Sequence, residues 1–284
     1  MGNIIFIVWR ESLEAVLIIG ILHSFLTRKS DTRSSVRYMW SGVACGIVLS
    51  ALLALTTIKI QNELTGRALE YFQTSILFVS AILMTQMVVW MNKHGRLMKK
   101  ELETNLSQAM SKSGLLGIAL VAALSIAREG TETVVYLYSL TLENSASGPV
   151  LLTLAACGGL TLALSTAWIV SKGIKFLNYA MFFKVTSYAL LFSAAGLIVT
   201  GTSRLIEIDV LPTLVDPLWN TSWMLDGASR FGGIIATFTG YRSRPSLMIV
   251  LVYIAYWFLA FAWMKRDQWF PAPAKLNQAQ SLQT

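Results

Sequence analysis

Charge is scarce in this chain. Asp, Glu, Lys and Arg make up 13% of its 284 residues, about half the ~25% of a soluble domain. With 55% of residues hydrophobic, a water-soluble fold is excluded and an integral membrane protein is predicted. Cysteine is nearly absent. Cys45 and Cys157 both fall in apolar runs, which argues against a disulfide framework. Histidine is equally rare, and neither His23 nor His94 has a partner at ligand spacing. No GxxxxGK[ST] pattern occurs, so the chain itself is not expected to hydrolyse ATP. A signal peptide is not expected either. The N-terminus has no basic n-region, and Arg10, Glu11 and Glu14 interrupt the apolar run. Phe6 excludes N-myristoylation. The net charge of +8 is assigned to basic anchors of cytoplasmic loops, not to nucleic acid.

What is abundant is apolar length. Seven segments can span about 30 Å of hydrocarbon. They run near 4–26, 38–58, 71–91, 115–142, 149–171, 185–203 and 247–264. The fourth is long enough to be tilted, kinked near Gly130, or extended beyond the bilayer. Basic residues set the orientation. Fifteen lie in the connections 27–37, 92–114 and 172–184 and in the tail, against six in the alternate connections. This imbalance puts the N-terminus outside and the C-terminus inside. The outer connections also carry acids, which favours the approach of cations. Trp90, Trp168, Trp257 and Trp263 read as belt aromatics.

One charged pattern occurs twice. Arg10-Glu11-Ser12-Leu13-Glu14 and Arg128-Glu129-Gly130-Thr131-Glu132 both interrupt apolar helices. Each such charge costs roughly 3 kcal/mol at a helix centre, and six unpaired would exceed ~10 kcal/mol. Weaker echoes follow: Ala44-Cys45-Gly46 with Ala156-Cys157-Gly158, and Thr74-Ser75 with Thr186-Ser187. A three-helix unit repeated once must re-enter from the opposite side, which is the inverted-repeat plan of many transporters. The expected fold is all-α and polytopic, with seven transmembrane helices in two inverted three-helix repeats (about 1–91 and 115–203) plus a seventh. Residues 1–203 are expected to form the transmembrane core, 204–246 an outer loop, and 247–284 the last helix and tail. The outer loop can hold a short interfacial helix or a re-entrant piece.

Glu11 and Glu14 share one helical face, as do Glu129 and Glu132. Arg10 and Arg128 sit four residues before the second Glu of each motif, as counter-charges. If the first and fourth helices meet, four carboxylates converge. Two arginines neutralise them only in part, and a hard cation would complete the balance. Oxygen ligands suit Fe3+, Mg2+, Ca2+ or Mn2+. The bland alternative is two ion pairs that lock two helices, but intramembrane charges are functional by default. Glu70, at the outer start of the third helix, is a possible relay carboxylate or an interfacial charge. Tyr136, four residues after Glu132, can offer an oxygen or simply pack. Cys45 and Cys157 are read as parts of close-packed small-residue faces.

These motifs give the chain a family resemblance. It resembles the iron permeases of the oxidase-dependent iron transporter family, whose mark is two Arg-Glu-x-x-Glu motifs in helices one and four of a seven-helix protein. The likeness extends over nearly the whole chain, through Glu70, Met91, FFKVTSYALLFSAAGLIVTG and WNTSWMLDGASRFGGIIATFTGYRSRPS. It implies Fe3+ as transported substrate, no resident cofactor, no enzymatic activity, a bacterial inner-membrane location, and an extracytoplasmic iron-binding or iron-oxidising partner. Two other readings compete. One is a transporter of another hard cation such as Mn2+. The other is a membrane-embedded di-metal oxidoreductase, which normally needs Glu-x-x-His pairs that this chain lacks.

Overall fold

The computed structural model describes residues 2–29, 33–94, 98–143, 149–171, 179–223 and 230–269. Among them there is no strand. Eight helices follow in order: α1 (Gly2–Lys29), α2 (Arg33–Glu63), α3 (Arg67–His94), α4 (Met98–Glu143), α5 (Pro149–Ser171), α6 (Tyr179–Glu207), α7 (Arg230–Thr239) and α8 (Leu247–Trp269). Six of them, α2 to α6 and α8, are long and apolar enough to cross a membrane. α1 has 28 residues, about 42 Å at 1.5 Å per residue. It fails a hydropathy test only because Arg10, Glu11 and Glu14 lie in its middle, and all three are buried. The chain is a multi-pass membrane protein.

α1 is the centre of the bundle. Its first half, through Ile4, Ile7 and Val8, shares a core with Leu77, Met84, Tyr136, Leu140, Ala155 and Leu190. Its second half, through Ile18, Leu22 and Leu26, shares another with Met39, Val43, Ile118, Ala122 and Ile126. The early part of α1 therefore meets the late part of α4, and the late part meets the early. The two helices run antiparallel. α5 also packs along α1, α2 along α4, and α3 along α6. α8 leans on α6 and leaves most of its apolar surface outward.

Close packing is carried by glycine, not by the cysteines. Both Cys45 and Cys157 are exposed at the bundle surface. A Cβ at Gly42 would lie 2.2 Å from the Ala119 carbonyl oxygen, and one at Gly46 2.8 Å from that of Ala123. A Cβ at Gly159 would lie 2.7 Å from the Ile5 carbonyl oxygen, whereas Gly158 faces open space. The expectation for the two cysteines is corrected: the packing residues are Gly46, one position after Cys45, and Gly159, two positions after Cys157, about 100° and 200° of rotation. Gly42→Ala and Gly159→Ala are expected to destabilise the protein by about 1–3 kcal/mol, the usual cost of overpacking. Gly158→Ala should be neutral or slightly stabilising, since alanine is the better helix former. Thermal unfolding in detergent checks the contrast.

The connection predicted at 92–114 is mostly helix. α4 begins at Met98 and breaks at Gly114, where φ is 57° and ψ −132°. That conformation is open to glycine and poor for other residues. The chain then folds back, so that a Cβ at Gly117 would lie 2.3 Å from the Ala109 carbonyl oxygen. Leu102, Leu106 and Met110 pack under the ends of α1 and α2. Lys100, Glu101 and Thr104 line a polar recess on the same piece. The kink expected near Gly130 is thus at Gly114. Gly130 lies inside regular helix, and its missing Cβ leaves room for Ser50 of α2.

The segment after α6 dips back along that helix. Gly240, with φ +74°, would place a Cβ 3.0 Å from the Gly196 Cα. Gly196 is about 16 Å short of the α6 end at 1.5 Å per residue. α7 precedes this contact, and Phe238 packs on Phe6 of α1 at 5.9 Å between ring centroids. Arg204, counted above with the loop, belongs to the last turn of α6. It donates to Gln73 Oε1 at 2.6 Å and to the Leu142 carbonyl at 3.0 Å, tying α6 to α3 and α4.

Candidate metal centre

α1 and α4 cross where their charged motifs lie. Glu11, Glu14 and Glu129 each offer a carboxylate oxygen, and these atoms all lie within 4.8 Å of one another. The three side chains are buried, with 1%, 4% and 5% of their surface exposed. Glu11 Oε2 and Glu129 Oε2 have no hydrogen-bond partner. Buried carboxylate oxygens are rarely left so, because the desolvation cost goes uncompensated. Two such oxygens in one buried locus have the chemistry to accept a cation.

Glu132 stands apart from the set of three. Its Oε1 accepts from Arg128 Nε at 3.0 Å, and its Oε2 accepts from the Tyr136 hydroxyl at 3.3 Å. Tyr136 is fully buried and shares the α1 core. Of the four carboxylates expected to converge, three do so, and the fourth faces its own partners. Glu70 is exposed in the first turn of α3. It lies about 25 Å along that helix from the level of the centre, at 1.5 Å per residue. An acid in the first turn also complements the helix dipole.

The two arginines differ in setting. Arg10 is 1% exposed. Its Nη1 lies 2.7 Å from Glu11 Oε1 and its Nη2 2.6 Å from Glu14 Oε1. The same two nitrogens donate to Met87 Sδ and Met91 Sδ, each at 3.1 Å. Arg128 pairs with Glu132 only and keeps 45% of its side chain exposed. Its guanidinium stacks on the Trp90 ring, 5.0 Å from the centroid. One turn of α3 thus holds both arginines. Trp90 was expected in an aromatic belt, and Met87 was not singled out at all. The available signal was the spacing of Met87, Trp90 and Met91 at i, i+3 and i+4.

Around the carboxylates the wall is thin. A cavity of about 230 Å3 opens between α1, α2 and α4, lined by Glu11, Ser12, Ile47, Ser50, Glu129 and Thr133 among others. A larger groove of about 860 Å3 lies between α3, α6 and α8 and is almost wholly apolar. It contains no carboxylate and no part of the motifs.

The model of the iron permease FTR1 family matches residues 1–265. The chain belongs to that family. Among curated relatives, the ferrous iron permease EfeU of Escherichia coli O6:H1 is 32% identical over 257 residues, covering 88% of this chain and 90% of the relative. The ferrous iron permease EfeU of Yersinia pestis is also 32% identical over 257 residues, covering 88% of each chain. No solved structure matches. Both charged motifs of this iron permease family member lie inside the matched region.

Proposed function

We propose that this chain imports iron across the bacterial inner membrane, with Glu11, Glu14 and Glu129 as its binding site. The carrying observation is the buried cluster of three carboxylates, two of which, Glu11 and Glu129, have an oxygen without a hydrogen-bond or ion-pair partner. Arg10 limits repulsion between Glu11 and Glu14, and Arg128 with Tyr136 orients Glu132. The chain performs no reaction of its own and holds no resident cofactor; iron is cargo. An extracytoplasmic iron-binding or iron-oxidising protein delivers it to the outer face. Glu70 is a first contact there.

The antiparallel crossing of α1 and α4 supports two inverted three-helix units, 1–91 and 115–203, and the excess of basic residues in alternate connections supports an N-terminus outside. The exchange of partners supports the inverted units too: α1 with α5 matches α2 with α4. On this reading 204–246 is an outer segment and 247–284 the last helix and inner tail. Cysteine placed at Glu63 is expected to react with an impermeant thiol reagent in intact cells, and cysteine at Lys100 is not, in a background lacking Cys45 and Cys157. Reaction at Lys100 alone would invert the topology.

Hardness of the oxygen set favours Fe3+. A second reading, Fe2+, is favoured by charge. With all four motif carboxylates ionised, the two arginines leave a net of −2, matching one divalent ion. The relatives' name, ferrous iron permease, points the same way. Labelled iron uptake into proteoliposomes separates the two when iron is held ferrous by ascorbate or supplied as ferric citrate. An imposed pH gradient in the same assay tests proton coupling. Mn2+ competing equally with iron would support the broader hard-cation reading, and oxygen consumption by the purified protein would support the oxidoreductase.

A further inference from the structure

We infer that Met87 and Met91 are ligands of the transported ion, forming with Glu11 and Glu14 a mixed sulfur–oxygen position that the Arg10 guanidinium fills in this structure. The inference rests on the permease reading and on its ferrous branch.

The guanidinium is a cation in the middle of a membrane bundle, and everything its terminal nitrogens touch is an electron-pair donor. Two are carboxylate oxygens of α1, at 2.7 and 2.6 Å. Two are thioether sulfurs of α3, at 3.1 Å each. Four donors from two helices converge on one buried positive charge. Such a set can receive another cation once the side chain swings aside, and the Arg10 Nε has no hydrogen bond to hold it.

Thioethers are a poor choice if the only task is to seat an arginine. Sulfur is a weak acceptor of N–H bonds. A leucine would fill the same volume, and an amide or hydroxyl would bind the guanidinium better. What a thioether adds is a soft lone pair on a flexible, unbranched chain. Soft donors discriminate against Mg2+, Ca2+ and Mn2+, which prefer oxygen. Fe2+ is borderline and also stands above Mn2+ in the general affinity order. The centre therefore has two sides. Glu129 of α4 is the hard side, the two methionines of α3 are the soft side, and the carboxylates of α1 serve both. Arg10 acts as a tethered competitor: an ion that cannot use sulfur gains too little to displace it.

The test uses the full-length protein with Cys45→Ser and Cys157→Ser, which removes the thiols. Ag+, a soft ion with little affinity for carboxylates, is the probe. It is titrated calorimetrically as the nitrate in chloride-free detergent solution. Met87→Leu/Met91→Leu is expected to lose one bound Ag+ per chain, whereas the control Met39→Leu/Met84→Leu, two buried methionines outside the centre, loses none relative to the parent at this tight site. In proteoliposomes the ratio of Fe2+ to Mn2+ uptake is expected to fall about tenfold or more in the Met87/Met91 double variant, the scale on which metal sites respond to altered ligation. Should the double variant not fold, each single leucine variant is measured in the same way. An unchanged Ag+ count overturns the proposal, because the sulfurs then only pack against Arg10. An unchanged uptake ratio overturns it as well, even if Ag+ is lost. If the parent transports no iron at all, the permease reading fails separately, and the Ag+ titration still decides whether the sulfurs form a site.

Discussion

Glu129→Gln is expected to bring iron uptake down to the level of protein-free vesicles while the protein still inserts and purifies. The amide keeps the shape of the side chain and removes its charge. Glu129 is the one member of the three-carboxylate cluster that α4 supplies, so its loss leaves a site built from α1 alone. A unit charge at 4 Å is worth about 4 kcal/mol at an effective dielectric of ~20. That is about three orders of magnitude in affinity. Glu11→Gln and Glu14→Gln should match it. Glu132→Gln should cost less, because Glu132 serves Arg128 and Tyr136 and stands outside the cluster. Uptake of labelled iron at equal protein density checks the order. Wild-type transport by Glu129→Gln would remove the cluster from the mechanism.

Arg10→Leu should be the most destabilising change in either motif. It strips two buried carboxylates of their shared counter-charge at 2.7 and 2.6 Å. Removing one partner of a buried pair costs about 3–5 kcal/mol. Arg10→Lys should recover little, because an ammonium cannot span two carboxylates as a planar fork does. Arg128→Leu should cost under about 1 kcal/mol of stability, as for other half-exposed pairs. Its effect should appear in uptake, through the loosened Glu132. Denaturation midpoints and uptake rates of the four arginine variants, Leu and Lys at each position, measure this split. Equal midpoints for Arg10→Leu and Arg128→Leu would contradict the burial difference.

How much of this was legible in the residues varies by element. Two charged motifs in apolar surroundings cannot be mistaken for packing, so the crossing of α1 and α4 was foreseeable from Glu11, Glu14 and Glu129. The fate of Glu132 was not. Spacing of three residues places side chains on one face, but it does not say which neighbour each will meet. The helix over 98–113 was hidden because Leu102, Leu106 and Met110 are its few apolar contacts among lysines and glutamates. The break at Gly114 was hidden because glycine is common in membrane helices. Met87, and the role of Met91, were hidden for a different reason: methionine at helical spacing is ordinary core, and its sulfur becomes notable only when a guanidinium is found against it.

The burial of α1 also bears on how the chain is made. Synthesis delivers α1 before the helices that enclose its three charges, α3, α4 and α5. Left alone in lipid, those charges weigh against insertion at about 3 kcal/mol each by translocon scales. More than a hundred residues must therefore be translated before Glu129 reaches the membrane and completes the centre. On this account nascent α1 is expected to be held at the translocon or by an insertase until α4 arrives. Biogenesis should thus be sensitive to ribosome stalling between α3 and α4 in a way that the insertion of an ordinary apolar helix is not.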